Sequence, residues 1–243
     1  MIAELRRIWQ EAFGDSDEAL DNFSATSFSP DRCHYICHGD TPVSALYWFD
    51  CELDGKKLAY IYAVATLKSH RGQGLAQRLM AETHEILQAQ GYAGAILVPG
   101  EKGLFAFYEK SGYRVATKAE EFSAVATASP VFMSQIHPAE YAAWRRKYLP
   151  EGGVVQEQET LSYLATYAKF YKGEDFLLAA TKTGESLLVH EILGNTHACG
   201  NILCALACKT GRFRMPGNDR DFAMFLPLQA DCPVPAYFGL ALD

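Results

Sequence analysis

The sequence predicts a mixed α/β (α+β) protein in two parts that share one coarse order of elements. An apolar, β-rich run, Leu58 to Ala65, passes through a glycine-bearing turn into a helical pattern, Leu75 to Gln90. A second strand, Ile96 to Pro99, leads to a short helix from Leu104 that is closed by Gly112, and then to strand-like Tyr113 to Ala116. Strands followed by a helix after a Gly-Asn turn come again in residues 121–243.

Residues 2–13 place Leu5, Ile8, Trp9 and Phe13 on one side of an amphipathic helix. Gly14-Asp15-Ser16-Asp17 ends that helix and caps the next, Asp17 to Phe28. Cys33 to Cys37 and Val43 to Asp50 read as a hairpin around Gly39-Asp40. Asp54-Gly55 marks the next turn, and Leu58 to Thr66 is the central strand. The helix 75–90 turns Leu75, Leu79, Met80, Thr83 and Leu87 to one face and is capped by Gly91. A boundary falls near Ala119 to Pro130, which divides the chain into residues 1–120 and 121–243.

The second part opens with an apolar strand and a helix, His137 to Tyr148, with Pro at its first turn. Leu161 to Tyr171 is a further helical pattern. Phe176 to Thr181 and Leu187 to Leu193 are strands around Thr183-Gly184. Thr196 to Lys209 is a helix, and Phe222 to Leu228 and Tyr237 to Leu242 are closing strands.

Composition narrows the function classes. The chain has 243 residues and a formal net charge of −7, which argues against generic nucleic-acid binding and suits a cationic substrate such as an amine. No run approaches the roughly 20 apolar residues of a membrane span, and the first residues lack the apolar core of a signal peptide. Seven cysteines, without the spacing of a disulfide framework, fit a reducing cytoplasm.

The chemistry-bearing stretch is the turn itself, Arg71-x-x-Gly74-x-Ala76. A strand ends, small residues at 72, 74 and 76 let the backbone turn tightly, and a helix begins with its first N–H groups unpaired. Those donors and the positive end of the helix dipole favour an anion such as a pyrophosphate. Gly72 and Gly74 leave room for phosphate oxygens, and Arg71 adds a charge-assisted contact. The alternative is an ordinary tight turn. No Gly-Lys-Ser/Thr follows, so this is not a Walker loop, and the third glycine of the dinucleotide fingerprint is absent.

Arg71-Gly72-Gln73-Gly74-Leu75-Ala76 and, downstream, Phe107-Tyr108-Glu109-Lys110-Ser111-Gly112-Tyr113 stand in order on the expected elements. With both in place, residues 1–120 resemble the GNAT superfamily of acyl-CoA-dependent N-acyltransferases. The first segment is similar to its pyrophosphate loop, Arg/Gln-x-x-Gly-x-Gly/Ala, and the second to its Phe-Tyr-x-x-x-Gly-Phe/Tyr signature. The resemblance implies a GNAT-like mixed sheet with flanking helices and acetyl-CoA as co-substrate. It assigns the cofactor clamp to Arg71, Gly72, Gln73, Gly74, Leu75 and Ala76, with main-chain groups of Val64 and Thr66 pairing with the pantetheine arm. It makes Tyr108 the general acid that returns a proton to the coenzyme A sulfur; the bland alternative is a partly buried, hydrogen-bonded aromatic. Many members carry Asn upstream of that tyrosine; Glu101 stands there in this chain.

The implied activity is direct N-acetylation of a primary amine, with a small-molecule acceptor favoured over a protein and no nucleic-acid or membrane partner. The rival is a regulatory module that keeps the acyl-CoA clamp and has lost catalysis. No carboxylate lies on the central strand, so the general base is open between water, His190, Glu191 and the terminal carboxylate of Asp243, if the apolar last strand delivers it. His70, beside the loop, faces solvent or phosphate. In the second part, Gly194-Asn195-Thr196-His197-Ala198-Cys199-Gly200 stands where a phosphate loop would be, without arginine. That half is either a degenerate GNAT-like repeat that binds no cofactor or an unrelated α+β extension. No metal is expected: Cys33-His34-x-x-Cys37-His38 has ligand residue types, but a strand sends them to opposite faces. Cys199, Cys204 and Cys208 fall at helical spacing as small core residues.

Overall fold

The computed structural model describes residues 3–242. In chain order the first elements are α1 (Ala3–Phe13), α2 (Asp17–Thr26), β1 (Cys33–His38), β2 (Thr41–Leu53), β3 (Lys56–Thr66), α3 (Leu75–Ala89), β4 (Gly94–Leu97), α4 (Leu104–Glu109) and β5 (Arg114–Val115). The sequence pattern locates all of them. α1 buries Leu5, Ile8 and Trp9. α2 starts where Ser16 Oγ accepts the Ala19 N–H at 3.1 Å and stops at Ser27, short of the predicted Phe28.

Then follow β6 (Lys118–Val125), β7 (Met133–Ile136), α5 (Pro138–Tyr148), α6 (Glu159–Leu164), β8 (Lys169–Gly173), β9 (Phe176–Thr183), β10 (Ser186–Gly194), α7 (Cys199–Ala205), β11 (Thr210–Pro216), β12 (Arg220–Asp221) and β13 (Met224–Pro227). Here several expectations are corrected. The predicted boundary segment contains the strand β6. The helix predicted over 161–171 ends at Leu164, and its tail is β8, with Phe170 and Gly173 buried. The helix predicted over 196–209 shrinks to α7, because Ala207 takes the left-handed region at φ +50° and turns the chain into β11. Tyr237 to Leu242 is not a strand; a single parallel bridge joins Gly153 to Tyr237, and Gln156 holds Leu240 by both main-chain groups, at 2.7 and 3.1 Å.

The chain divides into two units. One comprises the chain up to Arg114 together with Met224–Val234; the other comprises Val115–Ala223 together with the chain from Pro235. The single boundary predicted at 120/121 is therefore replaced by a crossing at Arg114/Val115 and an exchange back at Met224. The first unit's sheet has the order β1-β2-β3-β4-β13-β5, and the second unit's has β12-β6-β11-β10-β9-β8-β7.

The two sheets repeat one plan. Antiparallel strands lead to one parallel pair, β3/β4 in the first sheet and β10/β11 in the second. A helix joins the strands of each pair, α3 in the first and α7 in the second. Beyond each pair lies an antiparallel strand that is remote in sequence from the strand it pairs with: β13 against β4, and β6 against β11. Phe225 of β13 lies over Gly94, where an added Cβ would come 2.5 Å from the ring. Separate apolar cores fill the units, one around Trp48, Leu79, Ile61 and Tyr113, the other around Phe176, Ile192, Leu203 and Phe213.

Candidate functional site

The first unit's central strand is broken open by design of its ladder. Pairing of β2 with β3 slips between Ala45↔Ala65 and Tyr47↔Tyr62, so β3 carries an extra residue. Ala63 sits at φ +53°, a conformation that costs a residue with a Cβ. It is held there by Trp9, whose Nε1 donates to the Ala63 carbonyl at 2.9 Å. Ser44 adds a bond from Oγ to the Ala65 carbonyl at 3.0 Å. Parallel pairing with β4 ends at Tyr60↔Ile96. The end of β3 beyond that point, Val64, Ala65 and Thr66, runs along the wall of an open cleft of about 590 Å³.

The glycine turn forms the next wall. Arg71 Nε donates to the Thr66 carbonyl at 3.0 Å, which fixes the guanidinium at the cleft. Gly72 and Gly74 take φ +75° and +74°, and a Cβ at either would meet nothing within 4 Å. That open concavity is the shape a phosphate oxygen requires against the backbone. Gly74 begins α3 without a side-chain cap, and no acidic residue occupies the first turn. The first helical bond runs from Arg78 N–H to the Gly74 carbonyl at 3.0 Å, so the N–H groups ahead of it remain for an anion. The residues present therefore fit a pyrophosphate. Leu75 and Ala76 also line the cleft, as does Gln77; Gln73, predicted with them, is exposed and does not.

Tyr108 completes the cleft from α4. It is 8% exposed, and burial pushes its phenol up to about 12. The ring packs on Phe107 and Tyr113 at 5.1 and 6.1 Å. Its hydroxyl makes no hydrogen bond to another described residue, unlike Tyr113, whose hydroxyl meets His84 Nε2 at 3.0 Å. Glu101 also lines the cleft, in the turn before α4.

The base candidates fare differently. Glu191 is fully buried and spends both oxygens: on Arg145 at 2.7 and 2.9 Å, on Tyr141 at 2.8 Å and on Tyr237 at 2.9 Å. Such a carboxylate is a structural ion pair and not a free base. His190 is 3% exposed and bonded through Nε2 to Thr181 Oγ1 at 2.8 Å. Asp243 lies outside the described residues. Sequence reasoning missed one feature: His70, on the cleft wall, pairs through Nε2 with Nδ1 of His38 at 3.1 Å. The two residues are remote in sequence, and no spacing signals their contact. Among the described residues no group of three or more His, Cys, Asp or Glu side chains could hold a metal.

In the second unit the corresponding connection, from Gly194 to α7, is occupied by the protein itself. An added Cβ at Gly194 would lie 2.3 Å from the Asp175 carbonyl. Asn195 bonds the Asp175 carboxylate at 2.8 Å, and its own side-chain oxygen accepts the His197 N–H at 3.0 Å. The Asp175 side chain and carbonyl thus close this connection.

The bulged end of β3, the open glycine turn and Tyr108 line one cleft. Residues 2–116 match the GNAT acetyltransferase domain, a fold that supports acyl transfer. Among solved structures, a GCN5-related N-acetyltransferase from Kribbella flavida is similar over 93% of this chain and 68% of its own, at 18% identity and a TM-score of 0.70. A GCN5-related N-acetyltransferase from Anabaena variabilis is similar over 93% of this chain and 70% of its own, at 14% identity and a TM-score of 0.68. A tandem GNAT protein from the clavulanic acid biosynthesis pathway is similar over 90% of each chain, at 13% identity and a TM-score of 0.51. Likeness at these identities shows the fold, and the mixed α+β architecture is that of two GNAT-like halves. No curated protein matches the chain. No helix among the described residues is long and apolar enough to cross a membrane.

Proposed function

We propose that the first unit is an acetyl-CoA-dependent N-acetyltransferase that passes the acetyl group directly to a primary amine, with a small amine favoured over a protein. One observation carries this reading: a single cleft is lined at once by the split end of β3, the Arg71–Ala76 turn and Tyr108. Acetyl-CoA supplies an activated thioester. Arg71 and the N–H groups at the start of α3 hold its phosphates. Main-chain groups of Val64 and Thr66 orient the arm as an added strand would be held at a sheet edge. Tyr108 is kept protonated by burial and donates to the departing sulfur. The net charge of −7 suits an ammonium-bearing acceptor. The Asp175-filled connection in the second unit supports a second half that binds no cofactor. Free cysteines throughout the described chain support a cytoplasmic setting.

With Glu191 engaged, water, His190 and the carboxylate of Asp243 are the acceptors left for the amine's proton. Removing Leu242 and Asp243 separates the last from the others: turnover falls with cofactor binding intact if the terminus is the base, and is unchanged if water or His190 serves. The same lack of a committed base favours a second reading, a non-catalytic acyl-CoA-binding module. Thiol release from acetyl-CoA against a panel of amines, in wild type and Tyr108→Phe, tests both. An enzyme releases thiol with at least one amine and loses that release in the variant. A module binds acetyl-CoA and releases none with either protein.

A further inference from the structure

We infer that His70, held by His38 and Ser69, belongs to the cofactor clamp, and that this imidazole pair takes up a proton when a phosphate-bearing ligand enters the cleft. The inference rests on the proposed cofactor role of that cleft.

His70 closes the short turn Lys68–His70 between β3 and the glycine turn, and it shares the cleft wall with Arg71 and Gly72. Its Nδ1 lies 2.9 Å from Ser69 Oγ, and its Nε2 lies 3.1 Å from Nδ1 of His38, the last residue of β1. The rings meet edge to face, with centroids 5.3 Å apart. Two ring nitrogens at that distance share one hydrogen: one donates and the other accepts. A pair protonated on both rings would set N–H against N–H. The contact therefore holds either no extra proton or one.

The surrounding charges decide which. Lys68 and Arg71, on the same loop, oppose an added proton. Glu11 of α1, whose carboxylate accepts the Lys68 N–H, favours it, and Glu101 stands on the cleft wall. Cys37 and Asp40 flank His38 in the hairpin. A ligand that sets phosphates against Arg71 and Gly72 adds several negative charges beside His70 and tips this balance toward the protonated pair. The added proton gives the clamp a second cationic donor next to Arg71, present only when there is an anion to hold. His38 is a positioning residue: it accepts or supplies the shared hydrogen and does not line the cleft itself.

Linkage makes this measurable, because the slope of log affinity against pH counts the protons taken up. Titration calorimetry with coenzyme A, in two buffers of different ionisation heat between pH 6 and 8, reads that count directly. Wild type is expected to bind up to roughly tenfold tighter for each pH unit lost. In His38→Gln and in His70→Gln, each checked for folding by a thermal melt, only the smaller slope from the ligand's own phosphate remains. Equal proton uptake in wild type and both variants, or none in wild type, would overturn the inference while leaving the cofactor site standing. No binding of coenzyme A at any pH would instead overturn the reading of the cleft.

Discussion

Tyr108, the proposed acid, and Glu191 are both buried but differently engaged. Both are nearly or wholly buried, but the Tyr108 hydroxyl has no partner among the described residues, whereas Glu191 has three. Tyr108→Phe keeps the ring packing and removes only the proton, so kcat should fall by roughly 10²–10⁴-fold, the usual worth of a positioned acid, with acetyl-CoA affinity unchanged. Because burial raises that phenol to about 12, its deprotonation should produce no loss of rate between pH 8 and 10. A falling limb in that window that disappears in Tyr108→Phe would contradict the assignment. Arg145→Met should leave Glu191 buried and unpaired at a cost of about 3–5 kcal/mol, read as a drop in unfolding midpoint. His84 contributes to the pH dependence of stability. Burial lowers its imidazole from 6.5 to about 4. The unfolded chain therefore takes a proton below about pH 6.5 that the folded chain refuses until about pH 4. This contribution is fully present above pH 6.5 and drains as pH falls through that window, by roughly 3 kcal/mol in all. Denaturant titrations at pH 7 and pH 4.5 should differ less in His84→Gln than in wild type.

At the scale of elements, the sequence was most legible where local pattern and tertiary role agree. β3, the glycine turn and α3 lie within two residues of their predicted bounds, because an apolar run, two glycines and a helical stripe each signal their own element. The bulge at Ala63 left no local signal. It is imposed by Trp9 and Ser44, remote residues that hold the Ala63 and Ala65 carbonyls. In the second half, β11 went unseen because Thr-Gly-Arg-Phe-Arg-Met-Pro is too polar and too rich in breakers to read as a strand. Its neighbours β6 and β10 override those propensities. β13 was legible as a strand, but not its place beside β4, which depends on Gly94 admitting the Phe225 ring. Gly94→Ala should cost roughly 1–3 kcal/mol through that overlap. Gly55→Ala, at a turn where an added Cβ meets nothing within 4 Å, carries only backbone strain and serves as the control in the same melting experiment.

Across the whole molecule, one plan has been used twice and equipped once. Each unit has a parallel pair joined through a helix, but only the first connection is open to an anion. Arg71, Gly72 and Gly74 frame free space, while Gly194 and Asn195 are closed on Asp175. The loop proposed to hold the cofactor could be read from particular residues at fixed spacing; no such pattern names the acceptor. The central claim is that the first unit's cleft alone holds acetyl-CoA. Its most direct test is a calorimetric titration of acetyl-CoA into wild type and Arg71→Ala. The account predicts one saturable site per chain, weakened roughly tenfold or more when the guanidinium is removed. Two sites per chain, equal affinity in the variant, or no binding heat at all would contradict it.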